Sequence, residues 1–233
     1  MGRHLAPVEA LRGVAAWSIV CFHIWLFTSA GKLSSSLGPV TALMKPLQSG
    51  VTLFFVLSGF LLYRPFITRR PSIVRYFRNR ALRILPAYWT VLIATFAFGA
   101  TITIATTTGN AAGRLTGSQL AQSILLIQGY RPASIFTGVP PAWSLGVEVG
   151  FYLLLPVIAL LGRRSPWLPP ALMLTTGFAS KAALSVALGA DGLRVFSHTW
   201  DSTIAHSLVA HADLFGFGMA AAVVFTLLSL IHI

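Results

Sequence analysis

The sequence has little charge of either sign and very little negative charge. Only 9% of its 233 residues are charged and 55% are hydrophobic, whereas a soluble domain carries about 25% charged residues. This shortage excludes a disordered chain and most soluble enzyme folds, because too few charged groups remain to cover the surface of a soluble globule. With a mean hydropathy of +0.77, the composition predicts a polytopic membrane protein.

Several recognisable site patterns are also absent. The single cysteine, Cys21, excludes an intrachain disulfide framework. There is no Walker loop, no strand-linked dinucleotide fingerprint and no H-E-x-x-H spacing or cysteine cluster. His206, His211 and Asp213 do not have metal-ligand spacing, so we expect no bound metal and no permanently bound cofactor.

What is present is a series of apolar runs. The sequence predicts an all-α fold, a polytopic transmembrane helix bundle with about six spans, forming a single integral-membrane domain over 1–233. The chain stops shortly after the last run, so we expect an incomplete protein that lacks C-terminal spans. A segment at 119–128 is too short to span and predicts an interfacial helix. The six runs lie at 14–29, 51–67, 84–106, 143–161, 167–188 and 208–230.

Positive charge dominates the few charged residues. The balance of 17 Lys+Arg against 5 Asp+Glu gives a net charge of +12, which in a soluble protein would suggest nucleic acid but in a membrane protein marks cytoplasmic loops. With the N-terminus in the cytoplasm, eleven basic residues fall on the inner side and five on the outer side. We therefore predict a multi-pass inner-membrane protein with a cytoplasmic N-terminus that binds no nucleic acid. Seven arginines form one basic loop between the second and third runs: Arg64, Arg69, Arg70, Arg75, Arg78, Arg80 and Arg83.

Polar residues inside apolar runs are the first functional candidates. Arg12 and His23 are eleven residues apart, which places them on one face of a helix and about 16 Å apart along its axis. His23 is a candidate general base, or else a core histidine that donates to a backbone carbonyl. Glu148 lies about five residues inside the fourth run, where a carboxylate needs a partner or a water-filled cavity. It is either functional or an interfacial residue paired with a Lys or Arg.

Other candidates have stronger structural alternatives. Trp143 and Tyr152 are typical of an aromatic belt at the membrane surface. Positive-inside charge and anionic headgroups explain most of the basic loop, although Arg78, Arg80 and Arg83 at the start of the third run could hold a phosphorylated ligand by bidentate contacts. Ser58 lacks the first glycine of a nucleophile elbow and is interpreted as a packing residue.

Four segments together resemble the membrane-bound acyltransferase family 3, whose members include bacterial O-acyltransferases of polysaccharides, peptidoglycan and antibiotics. The segments are LRGVAAWSIVCFH, SGVTLFFVLSGFLL, RYFRNRALRILPAYW and PPAWSLGVEVGFYLLLP. The resemblance covers about residues 5–162, and HADLFGFGMA at 211–220 is similar to a later, weaker segment. Members usually have about ten spans, so this chain would cover the N-terminal two-thirds.

The resemblance implies roles for these residues. The family's Arg/Lys-x10-His pattern falls on Arg12 and His23, with His23 as the catalytic base. Its R-x-R motif falls on Arg78 and Arg80, where acyl-CoA would enter from the cytoplasm.

The family's Trp-Ser-Leu-x-x-Glu motif falls on Trp143, Ser144, Leu145 and Glu148. Val149 stands where many members have a second acid, which argues against a paired acid here and leaves Glu148. On these grounds we assign Arg12 and Glu148 to catalysis with His23. We assign acyl-CoA binding to the three arginines before the third run and substrate binding to Trp143, Ser144 and Tyr152.

Three functions follow as hypotheses. The first is O-acylation, with acyl-CoA as donor and a hydroxyl of a glycan, glycoside or lipid-linked sugar as acceptor. The second is a proton-coupled transporter of an anionic solute, in which His23 and Glu148 form a proton relay, although no internal repeat supports it. The third is a membrane scaffold that recruits partners through its basic loop.

Overall fold

A computed structural model describes residues 6–25, 42–69, 71–97, 116–189 and 198–231. The fold is all-helical, with 81% helix, and the described ranges contain no strand. Short 3-10 turns at Lys45–Ser49, Gln128–Tyr130 and Leu161–Arg163 join or extend the α-helices. The helices are α1 (Ala6–Trp25), α2 (Gly50–Thr68), α3 (Ile73–Ala97), α4 (Gly117–Ile124), α5 (Ala142–Ile158), α6 (Leu168–Leu188), α7 (Trp200–Ala205) and α8 (Ala212–Ile231).

Each of the six apolar runs overlaps a described helix, but the six-span count is not confirmed. Three helical segments are long and apolar enough to cross a membrane: Ala42–Thr68, Leu168–Leu188 and Ala212–Ser229. Apolar stretches at Ala10–Trp25 and Ala142–Ile158 are shorter. The predicted interfacial helix corresponds to α4, whose Thr116 closes a capping box with Gln119. The ends of the first and third runs, beyond Trp25 and Ala97, lie outside the described residues.

The arginine-rich segment differs from its prediction as a loop. Helix α3 begins at Ile73, eleven residues before the predicted start of the third run, and α2 extends to Thr68. Four of the seven arginines (Arg75, Arg78, Arg80 and Arg83) therefore lie on α3, and Arg64 lies on α2. Pro86, which lies two residues after the predicted start of the third run, is inside α3. Counting apolar residues misplaced the boundary because arginine is a good helix former that such a count scores as polar.

Helix α8 forms the centre of the described bundle, where it packs between α2 and α6, while α1 packs on the other side of α2. The close approach of α8 to α2 depends on glycine. A Cβ atom at Gly59 would collide with the Phe215 carbonyl, and one at Gly218 would collide with the Val56 carbonyl. Phe215 in turn stacks on Phe55 and Phe151 in the core. Small residues at a helix crossing are the usual means of tight packing between membrane helices.

We expect Gly218→Leu to destabilise the bundle strongly, because its side chain would occupy the space of the α2 backbone and force the two helices apart. Gly13→Ala is the matched control, since a Cβ atom at Gly13 on α1 meets nothing within 4 Å. Thermal unfolding in detergent should show a clear decrease in Tm for Gly218→Leu and no decrease for Gly13→Ala. Equal Tm values for the two variants would contradict the packing.

Candidate functional site

A buried ion pair connects the first helix to α5. Nη2 of Arg12 donates to Oε1 of Glu148 at 3.0 Å, across 136 residues of sequence. Arg12 is 5% exposed and Glu148 is 1% exposed. Glu148 faces inward because it shares the buried stripe of α5 with Phe151, Tyr152 and Leu155. The carboxylate isolated in the sequence thus has its charge partner inside the helix bundle.

Two hydroxyl groups complete the surroundings of the carboxylate. Ser58 of α2 donates its Oγ hydrogen to Glu148 Oε1 at 2.9 Å, and the Tyr152 hydroxyl donates to the same oxygen. Three helices therefore converge on one carboxylate oxygen. Such a fixed, desolvated carboxylate is typical of a functional site rather than of a surface ion pair.

Sequence reasoning missed Ser58, which it interpreted as a packing residue. Ser58 does lack the glycine of a nucleophile elbow, but that test concerns nucleophilic serines only. In the structure the Ser58 hydroxyl is a hydrogen-bond donor to Glu148. The available signal was a serine inside the apolar stretch LFFVLSGF at 53–60, where the hydroxyl must find its hydrogen-bond partner within the bundle.

The positive charge of this cluster exceeds its negative charge. The guanidinium of Arg80 on α3 lies 5.8 Å from the centre of the Tyr152 ring and 6.0 Å from that of Tyr76. Tyr76 also donates its hydroxyl to the Tyr152 carbonyl at 3.2 Å, which fixes α3 against α5. Nε and Nη1 of Arg12 and Nε of Arg80 are buried and have no hydrogen-bond partner among the described residues. Unused donors of two cations beside one carboxylate favour an anionic group at this position.

The other two arginines of the predicted donor clamp differ from Arg80 in their exposure to solvent. Arg78 and Arg83 are exposed, whereas Arg80 is half-buried. Side chains two positions apart on a continuous helix point in directions that differ by about 200°, so Arg78 and Arg80 project from opposite sides of α3. Only Arg80 reaches the interior, and the clamp of three arginines stays a prediction.

His23 lies at the other end of α1, in its last turn, and is half-buried. Its Nδ1 donates to the Ile19 carbonyl at 2.8 Å. A carbonyl only accepts, so the neutral ring has its proton on Nδ1 and its basic lone pair on Nε2. Eleven residues of helix separate it from Arg12, about 16 Å along the axis. The structure therefore places the predicted base and the Glu148 cluster at two levels of one helix.

The remaining substrate-binding candidates make protein contacts. Trp143 lies between two histidine rings, with centroids 4.6 Å from His206 and 5.5 Å from His211. Ser144 donates to the Pro141 carbonyl at 2.9 Å in the first turn of α5. These contacts fix the start of α5 against the segment that leads into α8, and the roles of Trp143 and Ser144 in substrate binding stay predictions.

The histidine contacts of Trp143 predict a pH-dependent stability. Burial lowers the pKa of His206 below its ordinary value near 6.5. The unfolded chain therefore binds the proton more readily, and this contribution to stability is present above pH 6.5 and is lost as the pH falls further. We expect the Tm in detergent to decrease from pH 7.5 to pH 5.5, and to decrease less in His206→Phe, which keeps an aromatic ring. An equal decrease in both proteins would contradict the assignment.

A second ion pair joins α6 to α8. Lys181, which interrupts the fifth apolar run, donates to Asp213 at 2.6 Å. Asp213 is 3% exposed, and Gly177 lets its backbone approach α6 closely. The sequence does not predict this pairing, because 32 residues separate Lys181 from Asp213 and only the crossing of the helices brings them together.

With this geometry established, comparison with known proteins decides the family. A family model described as an acyltransferase domain matches residues 6–188. The chain belongs to this acyltransferase family. The matched segment includes Arg12, His23, Ser58, Arg80 and Glu148, so both levels of the candidate site lie within the family domain.

The chain is also similar to two curated proteins. It is 29% identical over 166 residues to the acyltransferase MdmB of Streptomyces mycarofaciens, covering 70% of this chain and 41% of that protein. It is 28% identical over 178 residues to nodulation protein 10 of Rhizobium leguminosarum bv. viciae, covering 69% of this chain and 46% of that protein. The chain thus spans less than half the length of these relatives. No solved structure matches it.

Proposed function

We propose that this protein is an integral-membrane O-acyltransferase that moves an acyl group from acyl-CoA to a hydroxyl of a carbohydrate or other small acceptor. The observation that carries the proposal is the buried cluster of Arg12, Ser58, Glu148 and Tyr152 inside the segment matched by the acyltransferase family. The transporter and scaffold hypotheses receive no support from the comparisons.

The positive charge near Glu148 supports a phosphorylated donor. Arg80 lies beside Tyr152 with a buried, unused Nε hydrogen, and Arg12 has two unused donor groups. We assign these groups to the anionic parts of acyl-CoA, with Arg83, three residues beyond Arg80 on α3, forming the exposed approach to them. We place this end of the bundle at the cytoplasmic face of the inner membrane, with the N-terminus inside, following the excess of arginine.

The long flexible arm of coenzyme A could connect the two parts of the site, the cluster around Glu148 and His23. A donor whose phosphates bind near Arg80 would extend along the bundle and carry its thioester toward His23. Nε2 of His23 then takes the proton of the acceptor hydroxyl as its oxygen attacks the thioester carbonyl. The new C–O bond forms, the C–S bond breaks, and the proton passes from the imidazolium to the leaving thiolate.

The reaction is tested with the protein expressed from its complete gene and reconstituted in vesicles. Radiolabelled acetyl-CoA and a mixture of glycosides should yield labelled acylated product and free coenzyme A thiol in equal amounts. Anion flux in the absence of acyl-CoA, with no acylated product in its presence, would refute the proposal and restore the transporter hypothesis.

Arg80 and Arg78 form a matched pair for the donor assignment. We expect Arg80→Gln to raise the KM for acyl-CoA by about tenfold or more, because a charge-assisted contact to the donor is lost. Arg78→Gln, on the opposite side of α3, should change it by less than about threefold. Titration of acyl-CoA at a fixed acceptor concentration measures the KM of both variants. Equal changes in KM would show that Arg80 does not bind the donor more closely than Arg78 does.

A further inference from the structure

A cavity of about 510 Å³ lies at the arginine-rich end of the bundle, where α2 ends, α3 begins and the Leu161–Arg163 turn follows α5. Its volume is in the range of small-molecule sites, about 300–1,000 Å³. Most of the described side chains that line it are apolar, with Phe66, Ile67, Ile73 and Leu160 among them, and polar atoms also form part of the wall. None of Arg78, Arg80 and Arg83 lines it, so it is separate from the arginines assigned to the acyl donor.

Two of the described side chains that line the cavity are polar, Tyr63 and Arg163. The Tyr63 hydroxyl already donates to the Pro166 carbonyl at 2.8 Å, and Arg163 is the one charged side chain among the described residues that line the wall. Arg164 follows it, Arg69 follows the end of α2, and all three arginines are exposed. The sequence has no Asp or Glu at 149–190, so no acid in the segment that carries Arg163 and Arg164 neutralises these two arginines.

We propose that this cavity binds an anionic phospholipid, with an acyl chain against the apolar wall and the phosphate at Arg163. The combination of apolar lining side chains and an exposed arginine matches a molecule with a hydrocarbon tail and a negative head. Basic pockets between membrane helices bind lipid headgroups on the same principle, and a guanidinium binds phosphate by paired hydrogen bonds. The proposal goes beyond acyl transfer and does not depend on it.

Native mass spectrometry of the protein from its complete gene, released from vesicles of equal phosphatidylglycerol and phosphatidylcholine, tests the assignment. We expect phosphatidylglycerol to remain bound preferentially. Arg163→Gln should weaken its retention about fivefold, the effect of one basic side chain at a membrane surface. Arg131→Gln, which removes an exposed arginine outside the cavity, should leave retention unchanged.

A second variant tests the apolar part. Ala159 lines the cavity, and Ala159→Trp should prevent labelling of the cavity helices by a phosphatidylglycerol that carries a photoreactive group on its acyl chain. A Tm equal to that of the wild type shows that the variant is folded. For a variant that does not fold, labelled peptides of the wild-type protein decide the question, and they should contain residues 63–73 or 156–166.

Three results would overturn the proposal. One is equal retention of the two lipids, and another is labelling of peptides remote from the cavity. The third is displacement of the bound phosphatidylglycerol by acyl-CoA, which would show that the cavity belongs to the acyl donor.

Discussion

Glu148→Gln is expected to abolish acyl transfer and to lower the free energy of unfolding by about 3–5 kcal/mol, the cost of breaking a buried ion pair from one side. The amide keeps the size of the side chain but removes the charge that balances Arg12. Ser58 and Tyr152 then donate to a neutral oxygen. Activity assays and thermal unfolding of the protein from its complete gene measure the two effects.

A double substitution separates the structural role of Glu148 from its functional one. Arg12→Met combined with Glu148→Leu removes both charges, and an apolar replacement of a whole buried pair is often neutral for stability. We expect the double variant to regain most of the lost stability and none of the lost activity. Recovery of activity together with stability would show that the pair only supports the fold.

Asp201→Asn is the matched control for the loss of a carboxylate. Asp201 is exposed in the first turn of α7, so its replacement should change the free energy of unfolding by less than about 0.5 kcal/mol. Ser58→Ala and Tyr152→Phe each remove one hydrogen bond to a charged group and should cost about 1.5–3 kcal/mol. A Glu148→Gln variant no less stable than the control would contradict the buried pair.

His23→Asn is expected to decrease acyl transfer by about 100- to 10,000-fold, the usual contribution of a general base. The asparagine amide can still donate to the Ile19 carbonyl, but it has no basic nitrogen in place of Nε2. Since His23 is half-buried and outside the cluster around Glu148, we expect little change in Tm. Single-turnover measurements with saturating acyl-CoA isolate the chemical step.

His198 supplies the control for His23. Its Nδ1 also donates to a backbone carbonyl, that of Pro132, at 2.7 Å, but residue 198 lies outside the segment matched by the family. His198→Asn should therefore leave the rate of acyl transfer within about threefold of the wild-type rate, as expected for a group outside the reaction. Equal losses in both variants would assign the effect at His23 to structure rather than to base catalysis.

The sequence predicted most residues of the candidate site, but few of the contacts between them. Glu148 stood out because acids are rare in this chain, and Arg12 and His23 share a face because eleven residues make nearly whole turns of a helix. The predicted alternative for Glu148, a pair with a Lys or Arg, is the observed contact, although it is buried rather than interfacial. Ser58 was missed because its hydrogen-bond partner, Glu148, lies on another helix.

The position of the arginines shows the limit of local patterns. The sequence predicted a loop of seven arginines whose last members form one clamp. In the structure α3 begins at Ile73, so most of that segment is helical. On this helix the side chains of Arg78 and Arg80 point to opposite sides. A boundary error of eleven residues therefore changes which side chains can act together.

By itself, the sequence determined the helical membrane class, the family segments and the isolated polar residues, because composition and periodicity are local properties of the chain. Only the tertiary structure decided that Arg12 pairs with Glu148, that Ser58 and Tyr152 bind the same oxygen, and that Lys181 pairs with Asp213. The physical reason is that these partners are selected by helix crossings. Crossings depend on where glycines such as Gly59 and Gly218 let backbones touch, and no periodicity within one helix specifies its neighbour.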